Sequence, residues 1–349
     1  MSAPGKEGHA FMERVVYDAL GRRSRSVLVG PGVGLDNGVV SIGKGRVMVV
    51  TVDPVSAIPA LGMKLSAWLS VHLVASDLAT SGVDPKLAVF SYNFPPAMAS
   101  GEREEYVRSI GAECGRLGIS IVAGHTGTYP GGGFTVIGSG TMLGFAGPGG
   151  YVTPSMAQVG DAVLMTKTAA IEATASLAHS FPRFVEGRVG GRLAARARAL
   201  IRACSTVLDA RAARKPGIGR RGVTSMHDAT EGGVLGALGE MAAASGKRFV
   251  VDARRIPVSA EASAVCSAFG LDPLSTMGEG SLLITCRPGA VGAVARALAS
   301  EGIGVRQIGG VRKGTGLRVM DGPGKARSYA PEKDRYWSAY EESVGRGLG

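Results

Sequence analysis

Two successive series of alternating strand and helix patterns constrain the fold of this chain more than any other feature. Apolar runs rich in β-branched residues and bounded by turn residues predict strands, and longer apolar or amphipathic segments predict helices. In the first series we expect strands at residues 46–53, 86–94, 120–126 and 134–144, with helices at 64–82 and 102–117. The segment 147–154, Gly-Pro-Gly-Gly-Tyr-Val-Thr-Pro, predicts a break after this series.

The second series has the same alternation. It predicts strands at 161–167, 223–227, 248–252, 281–286 and 305–311, and helices within 169–213 and at 232–244, 259–269 and 290–300. Because 349 residues exceed the usual size of one hydrophobic core, we expect two α/β domains, residues 1–148 and residues 155–349.

Most of the positive charge lies in one segment. The chain carries a net charge of +11, and residues 183–221 supply +9 of it through eleven Arg or Lys against Glu186 and Asp209. The spacing at 191–202 is typical of an alanine-rich helix with arginines on its outer faces, so we interpret it as a solvated surface helix. Contact with RNA or with an anionic substrate is the alternative.

Cysteine usage and hydropathy bear on the compartment. The four cysteines lie far apart without ligand-like spacing, which favours reduced, buried thiols. The chain shows no signal segment and no apolar run long enough to span a membrane. We therefore expect a soluble cytoplasmic protein.

A glycine-rich loop at residues 30–40, Gly-Pro-Gly-Val-Gly-Leu-Asp-Asn-Gly-Val-Val, contains the carboxylate of Asp36. Such a loop can direct backbone N–H groups at phosphate oxygens while the carboxylate holds Mg²⁺. It lacks the Lys-Ser/Thr ending of a Walker loop. A hairpin turn is the alternative interpretation.

Two further carboxylates accompany this loop. Asp53 is the last residue of a predicted strand, a position that in α/β folds often borders a ligand crevice. Asp77 interrupts an otherwise apolar helix, where a buried carboxylate needs a cation or a proton. A metal ion would supply that partner, and a solvent-facing Asp77 is the alternative.

Polar residues also follow two later strands. His125 comes at the end of a strand in the segment 123–128, where it suits a phosphate or metal contact. Asp228 and Glu231 lie in the segment 225–233, Ser-Met-His-Asp-Ala-Thr-Glu-Gly-Gly, which joins a strand to a helix whose N-terminus would favour anions. Ser225 and Asp228 also have the spacing of a capping box. The two glycines after Glu231 weaken a helix start, which indicates close approach of a ligand or of another backbone.

Taken in order, these segments resemble the PurM-like (AIR synthase-related) superfamily, with motifs most similar to HypE-related proteins and thiamine-monophosphate kinase. The segments that carry the resemblance are residues 34–40, 51–53, 76–85, 124–126, 227–233 and 278–280.

The resemblance implies an α/β fold of two domains. The N-terminal sheet would form a β-barrel with a second copy of the chain, the C-terminal domain would be an α/β sandwich, and ATP would lie between the domains. Asp36, Asp53 and Asp77 would bind Mg²⁺. The nucleotide would contact Gly32, Gly34, Asn37, Gly124, His125 and Thr126, although relatives carry aspartate where this chain has His125. Catalysis would involve His227, Asp228 and Glu231.

The activity implied is Mg²⁺-dependent phosphoryl transfer from ATP to a small, anionic metabolite, either by a kinase or by a dehydrating ligase or cyclase. The chain ends Gly345-Arg-Gly-Leu-Gly349 and its first cysteine is Cys114. Both facts argue against relatives that use a reactive cysteine near one terminus. A non-catalytic nucleotide-binding maturation or scaffold protein is the second hypothesis, and RNA binding through residues 183–221 is the third.

Overall fold

A computed structural model describes residues 5–133, 135–219, 222–322, 324–330 and 333–348, which form two β-sheets with helices packed against them. The first sheet has the strand order β1-β2-β3-β6-β4-β5, and all neighbours are antiparallel except β4 and β5. Its strands are β1 (Val27–Val29), β2 (Gly38–Ser41), β3 (Val47–Ser56), β4 (Leu87–Phe94), β5 (Ser120–Thr128) and β6 (Val136–Ala146). The helices of this half are α1 (His9–Phe11, continued by a π-helical turn at Met12–Val16), α2 (Gly62–Thr80) and α3 (Ser100–Leu117).

The second sheet has the order β13-β12-β9-β11-β7-β10-β8, in which only β12 and β9 are parallel. Its strands are β7 (Ala162–Thr166), β8 (Val223–Asp228), β9 (Arg248–Asp252), β10 (Leu282–Cys286), β11 (Val305–Arg312), β12 (Gly316–Gly322) and β13 (Lys325–Ser328). Its helices are α4 (Ile171–Ser180), α5 (Pro182–Val189), α6 (Gly191–Ala199), α7 (Val207–Ala213), α8 (Gly233–Ser245), α9 (Ala260–Ala268), α10 (Val291–Ala299) and α11 (Tyr336–Gly345).

Helix α2 lies at the centre of the molecule. It is apolar on all sides, and most of its residues are buried because it packs on β3 and β6 of one sheet and on α7 and β8 of the other half. A single hydrophobic cluster accordingly runs from Val74 and Leu78 to Val207 and Leu282. The two halves share one core at this contact.

Polar contacts fix the same junction. The carboxylate of Asp84, just after α2, accepts 2.7 Å hydrogen bonds from Arg211 Nε and Arg214 Nη2 of the second half. The backbone N–H of Thr206 donates to Ser76 Oγ at 2.9 Å. These contacts orient the first half against the second.

The first sheet is covered by helices on one face only. Alternate residues of β3 and β6 point away from α2, among them Val50 and Val52 with their cross-strand partners Leu143 and Thr141. Strand β5 is exposed along nearly its whole length. Within the described residues the sheet is open and its edges are β1 and β5, so the dimeric barrel stays a prediction.

Several expectations need correction in detail. Strand β3 continues to Ser56, so Asp53 lies within the strand and not at its end. Pro54 is tolerated because β2 pairs only with residues 47–50, which leaves β3 with one neighbour at that point. The helices expected within 169–213 are confirmed as α4 to α7. The expected strand start Phe134 lies outside the described residues.

Other elements were not predicted at all. They are α1, β1, β12, β13 and α11, which are short or polar segments that lack a clear period. The division into domains at 148 and 155 also stays a prediction, with β6 ending at Ala146 and β7 beginning at Ala162.

The arginines of the basic segment mostly contact the protein itself. Arg198 pairs with Glu186 at 3.0 Å, and the guanidinium of Arg202 lies 4.9 Å from the ring centre of Trp68. Arg220 and Arg221 lie outside the described residues.

All four cysteines are free and buried, as predicted. No helix in the described part of the chain combines the length and the apolar content needed to cross a bilayer.

Candidate functional site

A histidine held between two carboxylates marks the junction of the halves. His227, at the end of β8, is 1% exposed. Its Nδ1 lies 2.6 Å from Asp36 Oδ2 and its Nε2 lies 3.0 Å from Glu240 Oε2. Burial alone would lower the pKa of His227, but the charges and hydrogen bonds of Asp36 and Glu240 outweigh it and raise the pKa well above its usual value. His227 is therefore a cation that positions Asp36.

Three further carboxylates lie close by with little compensation. Asp228 is fully buried, and neither of its carboxylate oxygens has a hydrogen-bond partner among the described residues. Burial and then the Asp36 charge raise its pKa to about 7. Burial also raises the pKa of Asp53 to about 6, and burial with the charges of Asp228 and Asp53 raises the pKa of Asp77 well above its usual value. Such a cluster needs protons or a cation.

The donor set fits a hard divalent cation. One ligand atom each from Asp36, His227 and Asp228 lie within 4.8 Å of one another. Since both ring nitrogens of His227 already face carboxylates, the ligands available to an ion are carboxylate oxygens, which Mg²⁺ prefers. The carboxylate of Asp77 is held in place by a 3.3 Å hydrogen bond, which its Oδ2 accepts from Thr51 Oγ1.

The glycine loop lies directly against α8. Gly34 has φ +68°, and a Cβ atom there would lie 2.6 Å from the carbonyl oxygen of Glu240. Only glycine satisfies both conditions. Asn37 is buried, and its Nδ2 donates to Asp77 O at 2.8 Å and to Thr80 Oγ1 at 3.1 Å. Asn37 thus ties the loop to α2, while its Oδ1 has no partner among the described residues.

A cavity of about 700 Å³ lies between the loop, α8 and the N-terminal segment. Gly32 and Gly34 line it together with Asp36, Glu231 and Glu240. Its opposite wall consists of residues that precede the first sheet, including Lys6, His9, Met12 and Tyr17.

Glu231 lies on the cavity wall, where two other segments bind it. Its Oε2 accepts a 2.8 Å hydrogen bond from the backbone N–H of Lys6, and its Oε1 accepts one of 3.2 Å from Trp337 Nε1. The Lys6 ammonium donates to Thr230 Oγ1 at 3.0 Å. Glu231 therefore holds the N-terminal segment and α11 in this structure.

The capping-box alternative is wrong. Ser225 lies inside β8 and its hydroxyl bonds Thr285 Oγ1 at 2.6 Å, while α8 begins only at Gly233. The two glycines have a local cause: Gly232 has φ +80°, and a Cβ on Gly233 would lie 2.6 Å from Thr276 O. The close approach predicted at these glycines is thus made by the backbone of the same chain at Thr276.

Gly124, His125 and Thr126 are not brought to this cluster within one chain. They lie on β5, which β4 and β6 separate from β3. Three strand spacings amount to about 14 Å. His125 Nε2 instead contacts Tyr129 Oη at 2.6 Å.

Three acidic or basic residues of the site, Glu240, Lys6 and Glu172, lie outside the predicted motifs, and Glu279 lies in the motif 278–280 without a predicted role. Glu240 is a single carboxylate in the apolar helix α8, the same signal that marked Asp77. Glu172 and Glu279 each have a buried Oε2 without a partner among the described residues. Burial, followed by the Asp53 charge, raises the pKa of Glu172 to about 8. Glu172 and Glu279 extend the acidic region inward from Asp228. Burial is the main cause that raises the pKa of Glu279, and the charge of Asp228 is the second.

Comparisons with known proteins agree with the sequence motifs. Family models described as AIR synthase related protein, N-terminal domain and C-terminal domain, match residues 34–146 and 158–322. Carbamoyl dehydratase HypE of Cupriavidus necator is 27% identical over 267 residues, which cover 72% of each chain.

Solved structures show the same fold. AaThiL complexed with AMPPCP and TMP is similar with a TM-score of 0.70 at 17% identity, over 93% of this chain and 96% of that chain. Hydrogenase maturation protein HypE in complex with ATP is similar with a TM-score of 0.66 at 18% identity, over 95% of this chain and 96% of that chain. The predicted resemblance to HypE and thiamine-monophosphate kinase is confirmed.

Proposed function

Because this chain belongs to the AIR synthase-related family of enzymes, we propose that it transfers the γ-phosphoryl group of Mg²⁺-bound ATP to an oxygen of a small acceptor. The observation that carries the proposal is a group of carboxylates, with Asp228 unpartnered among the described residues, beside a glycine loop and a cavity of about 700 Å³. The fold-level relatives solved in complex with ATP and with AMPPCP support nucleotide binding by this chain.

Asp36, Asp53 and Asp77 are the residues that would hold Mg²⁺. The bound ion would neutralise charge on the phosphate oxygens during transfer. His227 fixes the orientation of Asp36 through the 2.6 Å contact, and Thr51 does so for Asp77. Gly32 and Gly34 line the cavity where the phosphates would approach the backbone.

The acceptor would lie inward of Asp228, near Glu172 and Glu279. Because the raised pKa values leave both carboxyls protonated near neutral pH, their unpaired oxygens can donate as well as accept, which favours a neutral group of mixed donors and acceptors over the anionic acceptor expected from the sequence. A primary amide has this chemistry, and the HypE relative is named as a carbamoyl dehydratase.

Asp228 is suited to take a proton from such an amide. With a pKa of about 7, its carboxylate is available as a base near neutral pH. The amide oxygen would attack the γ-phosphorus of ATP, the bond from that phosphorus to the β,γ-bridging oxygen would break and release ADP, and one N–H proton would pass to Asp228. Departure of phosphate with the second N–H proton would complete a dehydration, whereas release of a stable phosphoester would make the enzyme a kinase.

The proposal includes a homodimer. The uncovered face of the first sheet is apolar at Val50, Val52 and Leu143, and a second copy would remove this surface from water. Such pairing would also bring β5, with His125 and Thr126, against the partner, where we propose that these residues complete the nucleotide site.

Titration calorimetry with AMPPCP, with and without Mg²⁺, tests the site. We expect Mg²⁺-dependent binding to wild type and at least about tenfold weaker binding to Asp77→Asn, because one ligand charge is lost. Asp321→Asn, at an exposed position of β12, serves as the control and is expected to bind like wild type.

Absence of Mg²⁺-dependent binding to wild type would refute the proposed site. ADP release in the presence of small primary amides separates an enzyme from a non-catalytic nucleotide-binding scaffold. Nucleotide binding with no amide-stimulated turnover would favour the scaffold.

A further inference from the structure

The N-terminal segment, residues 5–17, closes one wall of the cavity. Besides the Lys6 contact with Glu231, His9 Nε2 lies 3.7 Å from Glu240 Oε1. A Cβ atom on Gly5 would lie 2.9 Å from Glu231 Oε2 and 3.2 Å from Trp337 Cδ1. The segment therefore lies directly on the acidic side of the site.

The Lys6 ammonium enters the field of the site carboxylates. It donates to Thr230 Oγ1 at 3.0 Å, two residues along the chain from the unpaired Asp228. Loss of water around the ammonium would lower its pKa, but the charges of Glu240, Asp36, Asp77 and Asp53 outweigh this effect and raise the pKa. Three of these carboxylates are the candidate Mg²⁺ ligands.

The segment that carries Lys6 is held by polar contacts and not by apolar packing. Neither α1 nor the π-helical turn that follows it has a buried residue, and Lys6 itself is exposed as a whole while its side chain reaches inward. Elements with few buried contacts detach at low free-energy cost. By contrast, His227 is fully enclosed between its two carboxylates and has no such freedom.

We propose that Lys6 is an internal counter-cation that competes with the divalent ion, so that the segment 5–17 must withdraw its ammonium before the carboxylates bind metal. This inference rests on the proposed metal site. Two cations near the same carboxylates repel each other, and the tethered one is present at a high effective concentration. Lys6 would thereby keep the site closed to metal until the segment moves.

Manganese binding to the nucleotide-free protein tests the competition, with the electron paramagnetic resonance signal of free Mn²⁺ as the readout. We expect Lys6→Met to bind Mn²⁺ about tenfold more tightly than wild type, the effect of removing one nearby like charge. Lys6→Arg keeps the charge and is expected to bind weakly, as wild type does. Lys313→Met, which removes an exposed lysine between β11 and β12, is expected to leave the affinity unchanged.

Trp337 reports the position of the segment, since it contacts Glu231 and lies beside Gly5. In a Trp68→Phe background, where Trp337 is the remaining tryptophan, we expect Mg²⁺ to change the emission of the Lys6 protein and to change that of Lys6→Met much less. If the Lys6 protein binds metal while its Trp337 emission stays constant, the proposed withdrawal of the segment 5–17 is overturned.

Manganese binding separates failure of the Lys6 competition from failure of the proposed metal site. Equal Mn²⁺ affinity of wild type and Lys6→Met would overturn the competition and leave the proposed metal site intact. Failure of both proteins to bind Mn²⁺ would overturn the inference together with that site.

Discussion

At the scale of single residues, the site depends on positions where the backbone leaves no alternative. Gly34 combines a left-handed backbone, φ +68°, with a carbonyl oxygen 2.6 Å from where its Cβ would be. The loop can approach α8 this closely only with glycine. That approach places Asp36 next to His227, so one glycine and one imidazolium together set the position of a candidate metal ligand.

Gly34→Ala is expected to destabilise the protein by roughly 3 kcal/mol, since the left-handed strain adds to a direct overlap with α8. Gly118→Ala is the matched control, because Gly118 has φ +74° and open space around its Cβ position. This change is expected to cost only about 1 kcal/mol. The midpoints of urea unfolding measure both effects. Equal losses would show that the contact with Glu240 is not tight in solution.

At the scale of elements, α2 and α7 hold the halves together and thereby assemble the site. Asp84 follows α2, and Arg211 and Arg214 come from α7 and the turn after it. Burial would raise the pKa of Asp84, but the hydrogen bonds and charges of the two arginines outweigh it and lower the pKa. A carboxylate with a lowered pKa stabilises the fold above its unfolded pKa and loses that contribution as the pH falls through the folded value.

Asp84→Asn is therefore expected to lower the free energy of unfolding by about 1 to 2 kcal/mol at pH 7. The difference from wild type is expected to shrink below pH ~4, near the ordinary pKa of aspartate, as the wild-type carboxylate takes up its proton. Unfolding curves at pH 7 and at pH 3 measure the stability difference between wild type and Asp84→Asn. Asp321→Asn removes an exposed pair with Arg327 and is expected to change stability little. A difference that persists unchanged at pH 3 would contradict the ionic origin.

At the scale of the whole molecule, the proposed dimer rests on the open first sheet. Helices cover one of its faces, while the other presents apolar side chains, and β5 exposes Ile121 at 45% and Val122 at 56%. A stable dimer interface buries roughly 1,200 Å² or more, which a sheet of this size can provide. The proposed dimer would then add β5 of one copy to the nucleotide site of the other.

Val122→Asp is expected to convert a dimer into a monomer, because a charge would be buried in an apolar contact. Light scattering after size exclusion would show twice 35.6 kDa for wild type and 35.6 kDa for the variant. Val344→Asp alters a residue of equal exposure, 57%, on α11 and is expected to remain a dimer. A monomeric wild type would refute the dimer directly.

The sequence by itself determined the family, the two α/β series and the acidic identity of the site. Motifs such as Gly34–Val40 and His227–Gly233 report local chemistry, because loop conformation and ligand type depend on residues adjacent in the chain. Asp36, Asp77, His227 and Asp228 were found in this way and lie together at the junction of the halves.

Only the tertiary structure decided which charges meet. Glu240 and Lys6 reach the site from a helix and from the N-terminal segment, and no local pattern specifies either contact. The same holds for His125, whose strand lies at the far edge of the sheet although its motif resembles a site motif. Long-range packing around α2 sets these distances, and a charge acts on whatever the packing brings near it.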